Sequence, residues 1–177
     1  MVRIITKNRV FLILLILFIS CNNYNTKQLN AISILETKTH KDYNNLKYLK
    51  SNDIKNILKI AKLNLSKIEN KRLDSIAIEL IYLEYREYLD CVNAIYEASK
   101  EINQLEKVLN NNLKQLKNMK SDYKNSKVKR NDLDLYLMQE KQIINNASNQ
   151  VTEILRNMKT ERRRFENINK KIEVFIN

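Results

Sequence analysis

Few side chains in this 177-residue chain could carry out chemistry. His40 is the single histidine, and no cysteine or carboxylate accompanies it at the spacing of a metal site or of a histidine-based nucleophile relay. The aspartates and glutamates are scattered, and no pair of them stands out as an acid/base couple. We therefore expect no metal site, no cofactor and no enzymatic activity.

The two cysteines have very different surroundings. Cys21 follows a basic start, an uncharged apolar run over residues 10–19 and the small residue Ser20. This order is typical of a secretory signal peptide, and the apolar run is too short to span a bilayer comfortably. Phe18-Ile19-Ser20-Cys21 resembles the bacterial lipobox, with phenylalanine where leucine is common. The resemblance implies that Cys21 is acylated, for example with palmitate, and begins the mature lipoprotein. The alternative is an uncleaved anchor with an incidental cysteine.

We divide the chain into a lipoprotein signal peptide at 1–20, a polar tether at 21–30 and a single helical coiled-coil domain at 31–177. Cys91 falls on a helical row of apolar residues, so we interpret it as a packing residue. The alternative is an intermolecular disulfide, because lipidation of Cys21 would leave Cys91 unpaired in an exported protein. The tyrosines at 82, 85, 88 and 96 fit a core whose hydroxyls reach its rim; the alternative is stacking on bases or sugars.

One basic cluster exceeds the background of this lysine-rich chain. It surrounds a predicted turn, is opposed only by Asp122, and consists of Lys114, Lys117, Lys120, Lys124, Lys127, Lys129 and Arg130. It is either a solvated helix end or a contact for anionic lipid or polysaccharide. Removing Arg3, Lys7 and Arg9 with the signal peptide lowers the net charge from +12 to +9, which still favours anionic partners. We expect no specific nucleic-acid binding.

The chain contains neither glycine nor proline. Their absence excludes phosphate-binding loops, dinucleotide fingerprints and nucleophile elbows, all of which need glycine. It also favours long helices joined by polar turns. The predicted fold class is therefore all-α.

The C-terminal stretch from Asp132 to Ile176 predicts a coiled-coil helix of roughly 65 Å at ~1.5 Å per residue. Its apolar residues recur at alternating spacings of four and three, interrupted only by two glutamates. The seam positions are Leu133, Leu137, Glu140, Ile144, Ala147, Val151, Ile154, Met158, Glu161, Phe165, Ile168, Ile172 and Phe175. A seam this long needs a partner helix of comparable length.

The region from Leu73 to Tyr123 predicts that partner, and the two helices should close as a long antiparallel hairpin about the connection 124–131. One row of this helix runs from Ala77 to Tyr123 and includes Asn112 as a candidate register-setting residue. A second row, from Ile78 to Tyr96, indicates that a third, shorter helix packs only at the base, leaving two helices in the far part. We place that helix at 52–69 with Ser51 as its N-cap. Pairing of two copies through the seam, giving a homo-oligomer, is the alternative.

The lipobox, the following Asn22-Asn23-Tyr24-Asn25 and the lysine-, asparagine- and isoleucine-rich helical body resemble the plasmid-encoded lipoproteins of Borrelia spirochaetes. Within that group, the size and the coiled-coil body are similar to the prophage-encoded hemolysin or holin accessory family (BlyB). The resemblance implies a lipid-anchored, non-enzymatic partner of a small holin-like membrane protein at the inner or outer membrane. The alternative is a surface lipoprotein that binds a host ligand, such as an adhesin or a binder of complement regulators.

Overall fold

The computed structural model of the chain describes residues 26–70, Glu79, 81–125 and 130–177. These residues form α1 (26–48), α2 (Lys55–Asn70), α3 (Tyr82–Asn125) and α4 (Arg130–Ile176). A π-helical turn, Leu49–Ile54, joins α1 directly to α2. No β-strand occurs among the residues described, and the all-α prediction is confirmed. The predicted signal peptide and Cys21 lie outside these ranges. The predicted turn at 70–72 also lies outside them, except for Asn70.

The seam of α4 is buried in the register that its heptads predict. Ten of the thirteen predicted positions are buried, and Leu137, Glu161 and Phe175 are half-buried. The single departure is at the C-terminus, where Ile176 is buried in place of Phe175. A row at a 3.5-residue period stays on one side of a supercoiled helix, which is why sequence spacing is sufficient to find it.

The long row of α3 is also buried from Tyr88 to Tyr123, except for the half-buried Ala98. The second row is only partly covered: Tyr85 and Val92 pack against the core, whereas Tyr82 and Tyr96 are each 51% exposed. Those two tyrosines therefore do not belong to the predicted core. Lys100 Nζ instead lies 4.5 Å from the centroid of the Tyr96 ring.

The π-helical turn keeps the buried residues of α1 and α2 on one side where their heptad spacing is interrupted. Buried positions alternate by three and four along both helices: Ile32, Leu35, Thr39, Asp42, Leu46, Leu49, then Ile54, Ile57, Ala61, Asn64, Ile68. Between Leu49 and Ile54 the step is five residues. One extra residue would turn an α-helical seam by about 100°, and a π turn absorbs it. The Lys55 N–H donates to the Lys50 carbonyl, the i to i−5 bond of a π turn.

The chain divides into two compact units. Unit 1 lies within Met1–Thr39 and Asn111–Ile144, and unit 2 within His40–Asn110 and Asn145–Asn177. Each unit contains segments of α1 or α2, of α3 and of α4. Each has its own cluster of buried apolar residues.

In unit 2, pairs of residues in contact give the directions of the helices. Glu84 pairs with Lys171 (3.6 Å) and Glu87 with Arg164 (3.4 Å), so the numbers rise along α3 as they fall along α4. The two long helices therefore pack antiparallel, as the hairpin prediction required. The rings of Tyr88 and Phe165 pack with centroids 5.5 Å apart in this core. The core also takes in Ile54 and Ile57 from the third helical segment.

In unit 1, Ile32 and Leu35 of α1 are buried in one cluster with Leu116, Met119, Tyr123, Leu133 and Ile144. The C-terminal end of α3, at Asn125, and the N-terminal end of α4, at Arg130, both belong to this unit. The expected connection, 124–131, is thus shorter than predicted, and 126–129 fall outside the described residues.

The third helical segment differs from its prediction in extent. The residues from Thr26 to Asn30, which the prediction assigned to the tether, are helical, and Ser51 lies inside the π turn instead of capping a helix. The expectation of only two helices near the connection is wrong, because Ile32 and Leu35 fill the core there. The reason is that Thr39 and Asp42 occupy seam positions, so the apolar row of α1 cannot be followed by hydrophobicity alone.

Candidate functional site

The predicted basic cluster is divided by the fold. Lys114, Lys117 and Lys124 of α3 are exposed on unit 1. Lys120 is half-buried, and its Nζ lies 2.6 Å from Glu36 Oε2 of α1. Lys120 therefore serves to pack α1 against α3 and adds little positive charge to the surface. The rest of the cluster, Lys127 and Lys129 with the side chain of Arg130, lies outside the described residues.

Unit 1 carries an apolar groove between α1 and α4, which we call the α1/α4 groove. Its volume is about 730 Å³. The principal lining residues are Lys27, Ala31, Ile34, Leu137, Met138 and Lys141. Ile34 is 62% exposed and Met138 63% exposed, although both are large and apolar. Large apolar side chains exposed at a concave surface make the groove a candidate binding site.

Two polar residues, Gln28 and Asp134, also line the groove and are hydrogen-bonded within unit 1. Gln28 Nε2 donates to Asp134 Oδ1 at 3.4 Å, and the Tyr123 hydroxyl donates to the same oxygen at 2.7 Å. The Asp134 carboxylate is thus held by neighbours from α1 and α3. Lys27 and Lys141, by contrast, are exposed at the edges of the groove. The surface that remains for a ligand is apolar with cationic flanks.

The spacing of apolar residues in the sequence did not predict the α1/α4 groove. Ile34 and Met138 lie off the seams, and an apolar residue off a seam reads as an isolated surface residue. Ile34 and Met138 each lie beside a seam, and they could have been identified only by knowing that the two helices face each other. Helix packing alone reveals that relation.

Unit 2 contains a buried polar cluster with one residue from each of its three helical segments, which we call the Asn64–Tyr88–Asn169 cluster. Asn169 Oδ1 accepts hydrogen bonds from Asn64 Nδ2 (2.8 Å) and from the Tyr88 hydroxyl (3.2 Å). Asn169 Nδ2 donates to Glu173 Oε1 at 2.8 Å. Burial raises the pKa of the Tyr88 hydroxyl to about 12, so the phenol stays protonated and acts as a donor. Two of the three residues, Asn64 and Asn169, were not expected to be buried.

Cys91 is fully buried in unit 2, with its Sγ 3.5 Å from the main-chain carbonyl of Glu161. Burial and that neighbouring residue raise the pKa of the thiol to about 12. A protonated thiol without solvent access is a poor nucleophile. The packing interpretation of Cys91 is therefore favoured over the disulfide.

His40 is exposed on α1. Within the described ranges, no three His, Cys, Asp or Glu residues group where they could hold a metal ion. The same part of the chain has no helix with both the length and the apolar character needed to cross a membrane. Compared with known proteins, the chain matches no family, no curated protein and no solved structure.

Proposed function

We propose that the chain is a lipid-anchored, non-enzymatic accessory protein of a holin-like, membrane-permeabilising system. The observation that supports the proposal is the location of the side chains that could carry out chemistry. Cys91, Tyr88 and Asn169 lie inside the coiled coil and hold it together. Unit 1 also carries the exposed, largely apolar α1/α4 groove, and a groove of this kind suits an interaction protein.

The anchor is supported by sequence alone. A basic start and an apolar run precede Phe18-Ile19-Ser20-Cys21, which resembles a lipobox, and Thr26, five residues after Cys21, is already helical. A lipid on Cys21 would hold the coiled coil at a membrane surface without any membrane-spanning segment in the described residues. The similarity to the BlyB accessory family supplies the class of partner, a small holin-like membrane protein.

Labelling tests the anchor. Radiolabelled palmitate should enter the wild-type protein, and Cys21→Ala should abolish its incorporation. Cys91→Ala is the matched control and should label as wild type does, because Cys91 is buried in unit 2. Equal labelling of the wild type and Cys21→Ala would restore the uncleaved-anchor interpretation.

Permeabilisation tests the function. The chain should be expressed with any short membrane-protein gene found next to its own gene, and the release of a cytoplasmic enzyme should be measured. Release should require both proteins, and Cys21→Ala should reduce it. Release that is the same with and without the chain would refute the accessory role. Absence of any such neighbouring gene would equally count against it.

Lys114, Lys117 and Lys124 favour a second candidate, a surface lipoprotein that binds an acidic host ligand, because all three are exposed. The two functions differ in location and in ligand. The second predicts that protease added to intact cells removes the protein. It also predicts that heparin binding falls when the three lysines are replaced by glutamine. A protein protected in intact cells and indifferent to heparin would leave only the accessory role.

A further inference from the structure

We infer that the α1/α4 groove of unit 1 lies on the surface of an anionic lipid bilayer, with Ile34 and Met138 entering the interfacial region. The inference rests on the proposed lipidation of Cys21 and goes beyond it, since an anchor alone does not determine which surface faces the lipid. The occupant we assign to the groove is the bilayer itself. A partner protein and a second copy of the chain are alternatives that the experiment separates.

Covalent reach gives the first argument. Five residue steps separate Cys21 from Thr26, the first described residue of α1. At no more than ~3.6 Å per residue they span at most about 18 Å in any conformation. Ile34 lies eight residues farther along the helix, or about 12 Å at 1.5 Å per residue. The lipid therefore keeps the groove within about 30 Å of the acyl chains.

This short tether also raises the local concentration of lipid at the groove. Flexible linkers of a few residues give effective concentrations in the millimolar range. A weak contact is then sufficient to hold unit 1 against the head groups. Other exposed apolar residues, such as Leu63 and Val174 of unit 2, are not tied to Cys21 by a comparably short segment.

The chemistry of the groove gives the second argument. Two large apolar side chains are flanked by the exposed Lys27 and Lys141. Membrane-surface helices combine apolar residues that enter the interface with lysines that meet anionic head groups. Asp134, the acidic residue of the groove, is held by Gln28 and Tyr123 instead of projecting alone. Lys114, Lys117 and Lys124 add positive charge to the same unit.

Tryptophan fluorescence can test the contact directly, because the chain contains no tryptophan. Single variants Ile34→Trp and Met138→Trp place the probe in the groove. Leu63→Trp and Val174→Trp are matched controls, since these residues are apolar, 57% and 85% exposed, and in unit 2. The full-length lipidated protein is inserted into vesicles of phosphatidylcholine with about a third phosphatidylglycerol. Brominated acyl chains in these vesicles quench a tryptophan that enters the interface.

The expected result is blue-shifted, quenched emission from positions 34 and 138, and unquenched emission from positions 63 and 174. Lys27→Gln/Lys141→Gln should weaken the contact about thirtyfold at low salt, taking an effect of about fivefold for each lysine at the surface. The exposed pair Lys59→Gln/Lys62→Gln should leave it unchanged. In neutral vesicles the two double variants should behave alike.

Three results would overturn the inference. Lipidated protein whose groove probes are no more quenched than the controls would refute the contact while leaving the anchor intact. Concentration-dependent blue-shifted emission at position 34 in detergent would show that a second copy fills the groove. Blue-shifted emission only when the holin-like partner is present would assign the groove to that partner. Failure of the palmitate experiment is a different outcome, which removes the anchor and the inference together.

Discussion

Replacing Asn169 by leucine tests what holds the three helical segments of unit 2 in register. The substitution keeps the side-chain shape but removes the acceptor shared by Asn64 Nδ2 and the Tyr88 hydroxyl. Each buried donor left unpaired costs about 1–3 kcal/mol, and burying a leucine in place of an amide returns about 1–2 kcal/mol. For two donors these contributions sum to about 0–5 kcal/mol, and we expect Asn169→Leu to lower the free energy of unfolding by about 2–3 kcal/mol, the middle of that range.

The triple variant Asn64→Leu/Tyr88→Phe/Asn169→Leu should behave differently, because it removes the donors together with the acceptor. A buried polar cluster replaced throughout by apolar groups is often neutral or stabilising. Its free energy of unfolding should therefore equal or exceed that of the wild type. The assay is urea unfolding of residues 26–177 followed by far-ultraviolet circular dichroism. Asn157→Leu, at an exposed position of α4, is the control and should change stability by less than about 0.5 kcal/mol.

The reasoning is refuted if the triple variant is less stable than Asn169→Leu alone, since packing would then outweigh hydrogen bonding at this cluster. Specificity is a separate readout. Without this buried polar cluster the seam of unit 2 selects one alignment of its helices less strongly, so the triple variant should form additional oligomers in sedimentation velocity. The single variant should remain as homogeneous as the wild type.

Three other outcomes follow from the seams. Glu140 is buried on the α4 seam, with Oε1 lacking a hydrogen-bond partner among the described residues, and burial raises its pKa above that of the unfolded chain. The contribution of Glu140 to stability should therefore be lost as pH rises through its folded-state pKa. Glu140→Gln should stabilise the protein by about 1 kcal/mol at pH 7 but not at pH 3, as measured by urea unfolding. Deleting Asn52 from the π turn shortens the five-residue step to four and should preserve the seam. Deleting the exposed Lys62 should instead shift the seam and lower the free energy of unfolding by several kcal/mol. Equal losses of stability for the two deletions in thermal unfolding would contradict this account. Cys91 should react with a thiol reagent only when urea unfolds the chain, and fast reaction of the native protein at pH 8 would contradict its burial and its pKa of about 12.

Heptad spacing alone predicted much of the fold. The seams of α3 and α4 and their antiparallel pairing were readable because apolar periodicity reports directly which side of a helix is buried. The burial of Asn112 was predicted on the same basis. Tyr82 and Tyr96 were misassigned because a tyrosine suits a half-exposed position as well as a core one.

The course of α1 and α2 could not be read in the same way. Thr39, Asp42 and Asn64 occupy buried seam positions, and the five-residue step at the π turn breaks the period. Each of these removes the hydrophobic signal on which the prediction depends. The continuous helical path from Thr26 to Asn70 becomes visible only when α3 and α4 supply the surface that it covers.

The amino-acid sequence by itself determined the helical class, the seams and the predicted site of lipid attachment, because these depend on local composition and on spacing along one segment. The tertiary structure alone decided that Asn64, Tyr88 and Asn169 share hydrogen bonds, that Lys120 pairs with Glu36, and that Ile34 and Met138 line one groove. These relations join residues distant in the chain. They depend on how the helices pack together, which no single segment encodes.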